Sequence, residues 1–83
     1  MIRETELHQK TVMDSDGGYI GETDSVELNS HEGSIEQILV NPSTNAEAQR
    51  RSDNSYEKDS QNRYMIPSTE VEAVEDCVIV KRR

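Results

Sequence analysis

The stretch DSDGGYIGETDSVEL, residues 14–28, carries the reading of the fold. Its first five residues, Asp14-Ser15-Asp16-Gly17-Gly18, are a strong turn signal. Asp side chains accept hydrogen bonds from nearby backbone amides, and glycine tolerates positive φ. A strand over Tyr19–Leu28 follows. Ile20, Val26 and Leu28 fall on one parity and Thr23, Ser25 and Glu27 on the other, the pattern of a strand with one face buried. Gly21 interrupts it and implies a bulge or a sharp bend. Upstream, residues 10–13 read as a short first strand, so the turn joins a hairpin.

Working outward, Asn29-Ser30-His31-Glu32-Gly33 reads as a second hairpin connection, and Ser34–Val40 as a third strand. That strand ends in Ile38-Leu39-Val40, apolar at both parities, which implies burial on both faces or one face in a subunit interface. Pro42 is expected to stop it. Residues 41–62 hold few apolar side chains beyond Ala46, Ala48 and Tyr56 and are expected to form a long polar loop, with a helical turn around Ala46–Arg51 at most. Arg63–Ile66 reads as a fourth strand closed by Pro67. A short helical turn follows at 68–71, with Ser68 as its candidate N-cap. Ala73-Val74 is a brief fifth strand and Cys77–Lys81 a sixth, separated by a turn at Glu75-Asp76. The expected fold is all-β: a small six-stranded barrel over residues 10–81, with a polar lead-in at 1–9 and a basic end at Arg82-Arg83. Closing the sheet would remove edges that a weakly hydrophobic domain protects poorly.

Only 16 of the 83 residues are Leu, Ile, Val or Phe, close to the composition of disordered chains. A large core is excluded, and one small domain without disulfide or zinc staples points to a homodimer or a constant partner. Seventeen acids against nine bases give a net charge of −8, which disfavours direct nucleic-acid binding. The acid excess fits either a basic partner surface or a saline cytoplasm whose counterions screen carboxylates. Scattered acids, six Arg to three Lys, and the absence of Phe and Trp favour the saline host. No apolar run approaches the length of a membrane span. The opening Met1–Glu6 has no secretory core, so a cytoplasmic protein is expected.

Little in the chain points to catalysis. Counting an EF-hand from Asp14 places Gly18, Tyr19 and Ser25 where a ligand, a glycine and a glutamate are needed, so Asp14 and Asp16 read as a plain turn. The two histidines, His8 and His31, stand beside no recognisable nucleophile, and Cys77 reads as a small buried hydrophobe. No metal, cofactor or catalytic residue is assigned. A binding surface is the better reading. On the last strand Cys77 and Ile79 share one face and Val78 and Val80 the other, and the third strand is two-sided through Ile38, Leu39 and Val40. Either a second copy covers the outward set, or the lead-in or central loop folds over it. Arg50, Arg51 and Tyr56 form a second candidate contact set on the central loop.

Four stretches resemble the PRC-barrel family, named after the cytoplasmic part of the photosynthetic reaction-centre H subunit. They are Asp14-x-Asp16-Gly17-x-x-Ile20-Gly21, Gly33-x-Ile35-x-x-Ile38-Leu39-Val40, Tyr64-x-Ile66-Pro67-x-x-x-Val71 and Val74-Glu75-Asp76-x-Val78-Ile79-Val80. The resemblance lacks the membrane helix of the reaction-centre subunit and the extra domain of the ribosome-maturation factor RimM. It points to the stand-alone barrels of salt-loving archaea, which work in cell division with SepF, the anchor that links the FtsZ ring to the membrane. The resemblance therefore implies a non-enzymatic adaptor at mid-cell. It would pair with itself or a related barrel, bind SepF, and reach the membrane only through a partner. A RimM-like factor that binds a ribosomal protein is the alternative. The central loop is longer and more polar than the family pattern, so no function is carried over to it.

Overall fold

The computed structural model describes residues 9–81; the lead-in at 1–8, with His8, and the basic end Arg82-Arg83 lie outside the described residues. In chain order the elements are β1 (Thr11–Asp14), β2 (Tyr19–Leu28), β3 (Ile35–Pro42), α1 (Ala46–Asp53), β4 (Glu57–Lys58), β5 (Tyr64–Pro67), a 3-10 turn (Ser68–Glu70), β6 (Val71–Val74) and β7 (Val78–Val80). The strands form one sheet in the order β4-β5-β3-β2-β1-β7-β6. Neighbours are antiparallel except β1 and β7, which run parallel. The described residues are thus predominantly β, with one α-helix. The sheet differs from the expected six-stranded closed barrel: it has seven strands, and its edge strands β4 and β6 are not paired with each other.

The extra strand and the helix both lie in residues 41–62, expected to be loop. Asn45 caps α1 by accepting from the Ala48 amide at 3.0 Å, and Glu47 in the first turn and Arg50 and Arg51 in the last suit the helix dipole. The Ser52 carbonyl then accepts from the amides of Ser55 and Tyr56, turning the chain into β4. Asp59 builds the next turn, its Oδ1 accepting from the amides of Gln61 and Arg63 at 2.9 Å each, with Asn62 at φ 62°. Local polar chemistry, rather than apolar periodicity, makes this segment ordered. Pro42 ends β3 opposite Gly21 instead of stopping the strand earlier; pairing of β3 with β5 starts only at Val40, so no ladder bond is lost there. The 3-10 turn has Pro67 before it and no side-chain cap, so Ser68 is not an N-cap.

The core is a cluster of Val12, Ile20, Ile38, Val40, Tyr56, Tyr64, Ile66, Val78 and Val80. Two register shifts in β2, near Ile20 and at Asp24, break its simple alternation. They bring Thr23 inward, where its hydroxyl accepts from the Lys10 amide at 2.8 Å. A further shift at Glu27/Leu28 leaves Leu28 48% exposed, although its parity matches Ile20. Gly21, where the sequence implies a bulge or a sharp bend, adjoins a bulge whose extra residue is Ile20. A Cβ on Gly21 would meet the Asn41 carbonyl oxygen at 1.9 Å, so only glycine lets β3 approach β2 this closely. Helix α1 covers the inner side of the sheet. The fully buried Tyr64 reaches it with its hydroxyl, 2.5 Å from Asp53 Oδ1 and 3.2 Å from the Gln49 carbonyl. Among the described residues no helix is long and apolar enough to cross a membrane.

Candidate functional site

In the parallel β1–β7 pair, Val12 lies opposite Val78, Met13 opposite Ile79 and Asp14 opposite Val80. Directly opposed residues share a face. Val12, Val78 and Val80 point inward with no exposure, so Met13 and Ile79 point outward. Met13 is also opposed to Tyr19 of β2, and Ile79 to Ala73 of β6. An outward apolar row, Tyr19–Met13–Ile79–Ala73, therefore crosses four strands. Tyr19 is 37% exposed, and Met13, Ile79, Ala73 and the adjoining Cys77 are half-buried. A continuous apolar row on a chain this polar is a candidate interaction surface, because single exposed apolar residues are ordinary and contiguous ones are not.

The interface expected from sequence is only partly at the surface. Ile38, Val40, Val78 and Val80 have no exposure within one chain, and Leu39, flanked by Ser25 and Met65 on the outer face, has 4%. All five are buried within one chain, Ile38, Val40, Val78 and Val80 in the core cluster and Leu39 outside it. Cys77 and Ile79 remain available, joined by Met13, Tyr19 and Ala73, which sequence reading missed. Those three are brought together only by cross-strand register. The candidate loop contacts also divide. Tyr56 is a core residue, its ring 6.0 Å from that of Tyr64. Arg50 and Arg51 are exposed on the last turn of α1. Arg51 leans on the first hairpin: its Nη2 lies 2.9 Å from the point a Cβ on Gly18 would occupy, and Asp14 Oδ2 lies 2.6 Å from that point.

The turn residues sit where their chemistry requires. Asp14 Oδ1 accepts from the amides of Asp16 and Gly18 at 2.9 and 2.8 Å, with Gly17 at φ 85°. Asn29 does the same for His31 and Glu32 in the second hairpin, which Gly33 completes at φ 68°. Pro67 ends β5. Among the described residues no group of three or more His, Cys, Asp or Glu could hold a metal.

A charged cluster unforeseen in the sequence ties the outer surface together. Arg63 places Nη1 2.6 Å from Asp24 Oδ2, at the β2 bulge, and Nη2 and Nε each 2.8 Å from Asp59 Oδ2. Hydrogen bonds from the Arg63 side chain hold Asp24 below the usual carboxylate value, and the Arg63 backbone amide does the same first for Asp59. The two carboxylates in turn raise Arg63. Asp53 is lowered by the Tyr64 hydroxyl and then by Lys58, whose Nζ is 3.0 Å away. Burial, followed by the hydrogen bond to Asp53, raises the Tyr64 phenol. The only sequence signal for the Arg63 cluster is the i,i+4 spacing of Asp59 and Arg63; Asp24 is 39 residues away. No protein-family model matches the chain, and no characterised protein matches it closely enough to count as a relative.

Proposed function

We propose that this chain is a non-enzymatic binding module whose outer sheet face is its docking surface, occupied by a second copy or a related barrel. The observation that carries the reading is the outward row Tyr19–Met13–Ile79–Ala73, apolar across four strands of a chain with net charge −8. Two copies meeting on this face would bury the same patch on each, as two-fold dimers do. A dimer presents any further binding site twice and so gains avidity toward a client.

The finer reading is a PRC-type barrel acting as an adaptor in archaeal FtsZ-based division, cytoplasmic and concentrated at mid-cell, with SepF as client. It rests on the four stretches quoted above and on the acidic composition. The predominantly β, single-sheet architecture is compatible with that barrel type. The test is affinity capture from the host in high-salt lysate, with the natural chain and an Ile79→Glu variant as paired baits. Capture of SepF, FtsZ or a PRC-barrel protein by the natural bait, and its loss with the variant, supports the adaptor. The charge of −8 also favours a basic ribosomal protein as partner. Enrichment of ribosomal proteins without any division protein would select that RimM-like reading instead.

A further inference from the structure

We infer that the cleft beside Tyr19, at one end of the outward row, is a binding site for an arginine side chain of a basic partner protein. The cleft has a volume of about 280 Å³ and is lined by Tyr19, Glu22, Asn41, Pro42, Ser43 and Thr44. Pockets for small ligands and cofactors span about 300–1,000 Å³, so this one suits a side chain rather than a nucleotide.

Its construction follows from the β2 bulge. Tyr19 opposes Met13 and Gly21 opposes Val12, so Ile20 is the extra residue. In a regular strand residues 19 and 22 would face opposite sides; the bulge turns both to the outer face. Glu22 is directly opposite Asn41. The close approach permitted at Gly21 fixes the Asn41-Pro42 backbone beside them, and the Ser43 amide donates to the Ile20 carbonyl at 3.0 Å. The walls are therefore held by main chain.

The chemistry of the lining selects the ligand. Glu22 has no ion-pair partner among the described residues. The Asn41 amide nitrogen donates to Asp24 Oδ1 at 3.3 Å, which leaves its carbonyl oxygen as an acceptor. Arg63, the cation that pairs with Asp24, is also engaged by Asp59. A carboxylate, an amide oxygen and an aromatic ring around one cleft call for a flat, donor-rich cation. A guanidinium meets all three, with hydrogen bonds to Glu22 and Asn41 and its plane against Tyr19. The net charge of −8 draws basic segments and repels phosphates.

This inference rests on the docking role proposed for the outer face, and its test keeps the two separate. The isotope-labelled full chain is titrated with acetyl-Gly-Arg-Gly-amide and with the same peptide carrying citrulline, the neutral isostere. The arginine peptide should shift the amides of Tyr19, Glu22, Asn41 and Thr44 and saturate, and the citrulline peptide should bind about tenfold more weakly or less. Glu22→Gln should weaken the arginine peptide by a similar factor while keeping a native amide spectrum. Equal affinity for the two peptides, unchanged affinity in Glu22→Gln, shifts outside the cleft, or no saturation would overturn the assignment. Ile79→Glu lies outside the cleft lining and frees Tyr19 from the docking row, so it should bind the arginine peptide at least as tightly as the natural chain. Normal peptide binding with unaltered partner capture by Ile79→Glu would defeat the docking reading alone.

Discussion

The two faces of the β1–β7 pair are built from the same kinds of residue and have opposite fates. Val12, Val78 and Val80 have no exposure, whereas Met13, Cys77 and Ile79, adjacent to them in sequence, stay half-exposed. Hydrophobicity alone does not separate them. What separates them is cover: the inner face meets Ile20, Ile38, Val40, Ile66 and the two tyrosines of the core, and the outer face lies outside that cluster and stays partly open to solvent. An apolar side chain therefore contributes to folding on one face and to association on the other.

The comparison can be broken most severely from the inner side. Ile38→Ala should cost about 2–5 kcal/mol, the range for a large-to-small change at a fully buried site, read as a lower urea midpoint. Gly21→Ala should cost about 1–3 kcal/mol, because the new methyl must displace the Asn41 backbone. It should also disturb the Tyr19–Glu22 cleft, seen as shifted amides at both residues. Tyr64→Phe removes the hydroxyl that joins the core to α1 and should cost about 1 kcal/mol, with amide exchange quickening first in 46–53.

Acid sharpens the comparison from the polar side. Asp24, Asp53 and Asp59 are all held below the ordinary value of 3.8 in the folded chain. As pH falls, the unfolded chain takes up these protons first. The stability they supply is complete above the ordinary value and drains away as pH drops below it. The melting temperature should therefore fall below about pH 4, and Asp59→Asn should show a shallower decline. Equal slopes would mean that Arg63 gains nothing from Asp59.

Much of the fold was legible because its signals are local. The Asp14–Gly18 and Asn29–Gly33 turns, and the bounds of β2, follow from residues that contact one another within a few positions. Helix α1 was under-read because its apolar content is small. Its Asn45 cap and its Glu47, Arg50 and Arg51 charge pattern were readable, but its anchor, Tyr64, comes from a distant strand. The sidedness of Val78-Ile79-Val80 was readable from alternation; which side is covered was not, because it depends on pairing β7 with β1. The outward row and the cleft depend on the bulge at Ile20, and sequence marks a bulge or bend at Gly21 without showing which side chains it turns outward.

The smallest expected effect on stability belongs to the outer face, and it is also the most informative. Ile79→Glu should lower the unfolding free energy by at most about 1 kcal/mol, because the site is only half-buried. Sedimentation velocity of the natural chain and of this variant, in molar potassium chloride to screen the charge of −8, tests the docking surface directly. The account predicts a natural chain that sediments as a dimer and an Ile79→Glu variant that sediments as a folded monomer. A natural chain that stays monomeric at every concentration, or a variant that associates equally well, would contradict it.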